Sequence, residues 1–146
     1  MARVTLRIQG LDKLKKQLKK ASASVEERLD IELQDSRNRI RNGARQRTPG
    51  DLGQLKASWA VGGSKLDYTV TNDKFYAPYV EFGTGRFAKN TVAPYEEDWK
   101  QHAMEFKKEK DGFMPATPML YPAVKEEELK LPKLLENAIE DELNRL

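Results

Sequence analysis

The chain has 146 residues, of which 34% are charged and 38% apolar, with a formal net charge of +3 and no cysteine. That length makes one domain with one modest core, and the charged fraction lies above the usual ~25% of globular proteins. The lack of thiols excludes disulfides, zinc–thiolate sites and thiol nucleophiles; no apolar run approaches the ~20 residues of a membrane span.

The start, Met1-Ala2-Arg3-Val4-Thr5-Leu6, alternates instead of forming a signal-peptide core, which predicts a product kept in the cytoplasm until it is assembled. Val4, Leu6 and Ile8 share one side of this strand, which Gly10 ends. Asp12 is placed to cap a helix. Leu14, Leu18, Ala21, Val25, Leu29, Leu33, Ile40 and Ala44 then recur at helical steps, so a long helix runs from Lys13 to about Arg45. A break is allowed at Ala21–Ser24, where Ser24-Val25-Glu26-Glu27 reads as a capping box. Thr48-Pro49-Gly50-Asp51 stops the helix.

Leu55 to Val61 alternates with Ala57, Trp59 and Val61 on one face, and Gly62-Gly63 punctuates it before a second alternating run, Tyr68, Val70 and Asn72. This is a hairpin pattern. Phe75 to Phe82 is rich in aromatics and holds a short helical turn. Gly83-Thr84-Gly85 lacks the Gly-Lys-Ser/Thr ending of a phosphate loop; its two glycines suit positive φ on either side of Thr84, opening a long connection. Within that connection, about 86–114, Pro94 suits a first helical position, and Tyr95, Trp99, Ala103 and Phe106 predict an amphipathic helix to Lys108, followed by a polar loop to Gly112. Pro115, Pro118 and Pro122 lead to a C-terminal helical arm of about 123–146. Its first part is Val124 to Leu129, and Pro132 restarts it with Leu131, Leu134, Leu135, Ala138, Ile139 and Leu143 on one face. The expected fold is α+β: a small, mostly antiparallel sheet packed with a long N-terminal helix and a C-terminal helix, in a single domain of 1–146.

Nothing in this pattern assembles a catalytic, cofactor or metal site. His102 is the one histidine, and Glu105 three residues on makes no metal pair with it. Ser58 has no nucleophile-elbow turn. Glu96-Glu97 sit near a helix start, where acids favour the dipole.

Charge is unevenly placed. Residues 1–50 hold 13 Lys/Arg against 6 Asp/Glu, whereas the segment from Pro118 onward holds 4 against 7. A basic front and an acidic back suit nucleic acid at the front, or one subunit's front against its neighbour's back. Arg37, Arg41 and Arg45 form one stripe at steps of four, flanked by Arg39 and Arg47. The stripe is read as a solvated face that also favours the helix C-terminus, or a subunit contact, ahead of phosphate contact or a ring lumen facing DNA; no aromatic residues interleave with it, which weakens a single-strand-binding reading. Glu81, between Val80 and Phe82, is costly to bury alone. It is expected to accept from amides of the turn that follows or to pair with Arg86, the alternative being that it points to solvent.

Three blocks carry a resemblance. The first is Thr48-Pro49-Gly50-Asp51-Leu52-Gly53-Gln54-Leu55-Lys56-Ala57-Ser58. The second is Tyr76-Ala77-Pro78-Tyr79-Val80-Glu81-Phe82-Gly83-Thr84. The third is Pro115-Ala116-Thr117-Pro118-Met119-Leu120-Tyr121-Pro122-Ala123. In order and spacing, over roughly Val4 to Glu128, they resemble the gene-product-ten-like family of siphophage tail components. Leu52 stands where that family usually has Thr, and the 86–114 connection is longer.

The resemblance implies a non-enzymatic virion protein of the neck, without cofactor. It implies a ring, with sixfold symmetry to match the tail, that completes the tail or joins it to the head. Its partners would be copies of itself as a hexamer and other neck and tail proteins (connector or stopper, tail terminator, tail tube), with passive contact to genomic DNA in the lumen and no membrane. Assembly would take place in the host cytoplasm. The alternative function is nucleic-acid binding through Arg37, Arg41 and Arg45.

Overall fold

The computed structural model describes residues 4–7, 23–107 and 114–145. Ile8, Gly10, the Asp12 cap, the first part of the long helix up to residue 22 and the polar loop at 108–112 lie outside the described residues. The described elements, in chain order, are β1 (Val4–Arg7), α1 (Ala23–Arg47), α2 (Gly53–Ala57), β2 (Trp59–Ser64), β3 (Asp67–Asn72), α3 (Ala77–Phe82), α4 (Gly85–Val92), α5 (Glu97–His102), α6 (Met104–Lys107) and α7 (Leu120–Arg145).

Among the described residues the sheet is antiparallel, in the order β1-β3-β2. Val4, Asn72 and Trp59 stand in one register row, and Leu6, Val70 and Val61 in another. Val4, Trp59, Val70 and Asn72 are buried on the side that faces the helices, as the alternation requires. The fold is therefore α+β, as the sequence predicts.

The helical period of α1 buries Val25, Leu29, Leu33, Ile40 and Ala44. Ser24, the expected cap, lies within its first turn. The helix ends at Thr48-Pro49, where the Thr48 hydroxyl donates to the Ala44 carbonyl at 2.9 Å. α7 lies antiparallel along α1: Gly43 meets Ala123, Arg39 meets Glu127, and Val25, Leu29 and Leu33 share a core with Ala138. The helices come close at Gly43, where a Cβ would stand 3.0 Å from that of Ala123.

Four expectations change. Leu55 to Ala57 is helical, not strand, and Ala57 is exposed, so it does not share the Trp59 face. The hairpin does not turn at Gly62-Gly63. It runs on to Ser64 and turns over Lys65-Leu66, both at positive φ (39° and 66°). Leu66 holds that strained turn in place: its side chain is buried with Leu29 and Tyr68, and its amide donates to the Asp30 carboxylate at 2.8 Å. Gly63 is still required, since at its φ of +92° a Cβ would lie 2.1 Å from the Asp67 carbonyl.

Among the described residues the connection holds three short helices instead of one. Pro94 lies in a turn before α5, and α4 was not foreseen. The four residues that predicted the inserted helix do share a cluster: Tyr95 and Trp99 pack against Ala103, Phe106, Phe82, Ala88 and Val92. Finally, α7 begins at Leu120 and passes through Pro132 unbroken. Pro132 is exposed, so its ring projects to solvent while Leu131, Leu135 and Ile139 pack on the α1 side. Leu143 is 56% exposed and leaves the apolar face predicted for it.

Candidate functional site

The second and third blocks meet. α3 ends at Gly83, whose φ of +73° reverses the chain; a Cβ there would lie 2.7 Å from the Met114 carbonyl and 2.8 Å from the Ala116 amide. Residues 114–117 can run this close only past a glycine. The Thr84 amide donates to the Met114 carbonyl at 3.0 Å, the Met114 amide to Thr84 Oγ1 at 3.2 Å, and the Thr117 amide to the Val80 carbonyl at 2.7 Å. Gly85 is also at positive φ, 52°, so both glycines beside Thr84 adopt the conformation their sequence suggested.

This pairing places Glu81 under the start of α7. Its side chain is fully buried, and its carboxylate accepts from the amides of Met119 (3.1 Å), Leu120 (2.7 Å) and Tyr121 (3.3 Å). The next residue, Pro122, has no amide. A helix start presents four unpaired N–H groups; here one carboxylate takes three and proline removes the fourth. Burial pushes the Glu81 carboxyl up to about 7, against the pull of the three amides.

The expectation for Glu81 is thereby corrected. Its amide donors come from the third block, not from the turn that follows, and it does not face solvent. Arg86 is exposed and lies over the Phe87 ring at 4.9 Å, with no pairing to Glu81.

The rest of the motif residues close the same scaffold. Ala77 and Val80 join Leu120 and Ala123 in one core, against which Tyr76 packs. Tyr79 meets Phe106 edge-on at 4.8 Å and Phe82 stacks on Phe106 at 6.1 Å, which fastens the inserted helices down. Pro118 and Pro122 are half-buried at the approach to α7. In the first block, Leu55 is buried and its carbonyl accepts from Asn72 Nδ2 at 2.8 Å, while Trp59 Nε1 donates to Thr48 Oγ1 at 2.7 Å. Pro49 is half-buried where α1 ends. Gly53 opens α2 with nothing within 4 Å of a Cβ, so packing does not require glycine there.

The structure divides the arginine stripe. Arg37 turns onto the hairpin, with its guanidinium 4.8 Å from the centre of the Tyr68 ring and Nη1 donating to the Gly62 carbonyl at 3.3 Å. Arg41 and Arg45 stay on the surface. The flanking pair faces α7: Arg39 grips Glu127 with two nitrogens (3.0 and 2.7 Å) and reaches Glu32 at 3.3 Å, and Arg47 pairs with Glu126. Glu32 and Glu127 are buried. Sequence reasoning missed this network because its partners lie 88 positions apart. His102 is exposed, and among the described residues no group of three or more His, Cys, Asp or Glu could hold a metal ion. Among them, too, no helix is long and apolar enough to cross a membrane.

Charge is sorted along the helix pair. Residues 23–36 of α1 carry Glu26, Glu27, Asp30, Glu32 and Asp35 against Arg28, whereas residues 37–47 carry the five arginines and no carboxylate. The half of α7 beside the acidic stretch carries Glu136, Glu140, Asp141 and Glu142 against Lys133 and Arg145. Packed antiparallel, the two helices give one acidic end and one basic end. The basic front of the sequence is thus basic, among described residues of α1, only from Arg37 onward.

A family model described as "Bacteriophage HK97-gp10, putative tail-component" matches residues 12–83. Over this segment, just under half of the chain, the sequence is similar to that phage tail-component family. The match takes in the first block and the second as far as Gly83, and stops before the third, so the resemblance read out to Glu128 is covered in part. Comparison with curated proteins and with solved structures found no match. The buried roles of the chain's motif residues leave any contact surfaces to be sought elsewhere on the fold.

Proposed function

We propose that this tail component is a non-enzymatic structural protein of the phage neck, and that copies of it form a ring that completes the tail or joins it to the head. The observation that carries this reading is the closure of the motif blocks on one another. Glu81 binds the start of α7, and Gly83 and Thr84 lie against residues 114–116, so the motif blocks hold one another in place. Charge is sorted along α1, acidic in its first half and basic in its second, and a head-to-tail ring joins two unlike patches. Sixfold symmetry would match a hexameric tail tube. The partners are then further copies of the chain and the neighbouring stopper, terminator and tube proteins. Assembly in the host cytoplasm precedes residence in the virion.

Electron microscopy of lysates from a phage or induced prophage lacking this gene tests the reading. Filled heads beside separate or abnormal tails are expected. Normal infectious particles would remove it. The nucleic-acid alternative rests on the arginine stripe, of which Arg37 is engaged with Tyr68 and Gly62. DNA binding at physiological salt with a steep salt dependence would restore that alternative. The proposed ring requires only passive contact with DNA in its lumen.

A further inference from the structure

We infer that the cavity between α1 and α7 is a docking pocket for an Asp or Glu side chain carried by another protein. The pocket is complete within one copy of the chain, so the inference stands apart from the ring proposed above.

The cavity follows from how the two helices meet. Gly43 has no side chain, and a Cβ there would stand 3.0 Å from that of Ala123. Around this contact the longer side chains of Arg39, Asn42 and Gln46 on α1, and of Glu126, Glu127 and Lys130 on α7, wall a hollow of about 220 Å³. That is below the ~300–1,000 Å³ of clefts that take drug-sized molecules, and its walls are polar where theirs are mainly apolar. It has room for one side chain.

Hydrogen bonding inside the hollow is one-sided. Both oxygens of Glu127 accept from Arg39, at 2.7 to 3.1 Å. Glu126 is paired with Arg47, and Glu32 is shared by Arg39 at 3.3 Å and Arg28 at 3.5 Å. The carboxylates are satisfied; the donors are not. Lys130 and Gln46 are exposed and have no hydrogen-bond or ion-pair partner among the described residues. Asn42 uses only its Oδ1, which accepts from Arg41. Arg39 is engaged through Nε and Nη2, which leaves Nη1. Four cations (Arg28, Arg39, Arg47 and Lys130) stand against three carboxylates (Glu32, Glu126 and Glu127), so the charge of Lys130 is left over. A further carboxylate accepts from the amide, guanidinium and ammonium donors together and balances that charge.

The rim decides for a protein over a nucleic acid. Leu129, 86% exposed, stands beside Lys130 and one turn from Glu126 on α7. A nucleic-acid backbone gains nothing from a lone leucine and would bring a row of phosphates past Glu126. An acidic residue next to an apolar one in a polypeptide supplies both contacts.

Titration of the purified full chain with an acetylated, amidated Leu-Glu-Glu-Leu peptide tests the pocket in solution. The side-chain amide signals of Asn42 and Gln46, followed by heteronuclear NMR, are expected to shift saturably. Lys130→Met changes an exposed side chain without a partner in the fold, and is expected to weaken binding about 10-fold, the scale of a hydrogen bond to a charged group. Lys130→Arg is expected to keep most of the affinity. No shift at the two amides with millimolar peptide would overturn the inference. Shifts with a DNA duplex but not with the peptide would overturn it in favour of phosphate contact.

Carbodiimide coupling in assembled phage particles identifies the occupant. The reagent joins an ammonium to a carboxylate in contact with it, forming an amide and taking up the water lost. An amide between Lys130 Nζ and an Asp or Glu of a different protein is expected. Lys130 recovered unmodified, or joined only to its own chain or to a second copy, would overturn the inference. Particles that lack the chain would count against the neck reading, and the titration would still decide for or against the pocket.

Discussion

Replacing Glu81 with glutamine changes the pH dependence of stability in a calculable way. The Glu81 carboxyl is raised from its ordinary 4.5 to about 7 by burial. A carboxyl whose pKa is higher in the folded chain binds its proton more tightly there. The stability it confers is therefore complete below about pH 4.5, declines as pH rises towards about 7, and is constant above. A displacement of this size corresponds to about 3 kcal/mol. Glutamine keeps an acceptor oxygen for the Leu120 and Met119 amides but has no proton to lose. Urea midpoints of wild type and Glu81→Gln measured from pH 4.5 to 8 should therefore converge or cross, the difference shifting by about 3 kcal/mol in favour of the variant as pH rises. Asp30 is common to both proteins and cancels: burial works against its ionised form, but hydrogen bonds from Tyr68, Leu66 and Gln34 win and hold its pKa below the ordinary value. Glu81→Leu separates the second half of the argument. It keeps apolar volume and removes the acceptor, leaving at least the two closest amides unpaired at roughly 1–3 kcal/mol each, so at pH 5 it should lose about 2–6 kcal/mol. Parallel pH curves for glutamine, or wild-type stability for leucine at pH 5, would refute the account of this clamp.

Two further substitutions probe the helix pair. Gly43→Leu forces a side chain into the Ala123 contact, already at 3.0 Å for a Cβ, and should lower the unfolding free energy by about 1–3 kcal/mol in denaturant titration; an unchanged midpoint would show that α7 does not pack there. Arg39→Ala strands the buried Glu127 carboxylate and should cost about 2 kcal/mol, while Arg39→Met with Glu127→Met should recover at least half of it. Equal losses in the single and double variants would contradict the pairing.

The sequence made local periodicity legible and hid whatever depends on distant partners. Val4–Arg7, Asp67–Asn72 and the buried face of α1 follow from periods of two and 3.6. Leu55 to Val61 misled because a five-residue helix is too short to display its period, so Leu55, Ala57, Trp59 and Val61 mimic a strand. The Lys65-Leu66 turn carries neither Gly nor Asn, and burial of Leu66 overrides the local preference. Pro132 signals a break, yet the packing of Leu131, Leu135 and Ala138 on α1 carries the helix through it. The cost of burying Glu81 was apparent from its apolar neighbours, but its donors lie 38–40 residues away. Nothing in the spacing of Arg39 and Glu127 announces their pairing. The sorting of charge into two ends becomes visible only once α1 and α7 are known to run antiparallel.

Locating the chain in the particle tests the neck assignment most directly. A short affinity tag appended after Leu146 and labelled with gold on intact virions should place the label at the junction of head and tail. Label spread along the tail or at its far tip, or particles carrying no tagged protein, would contradict it.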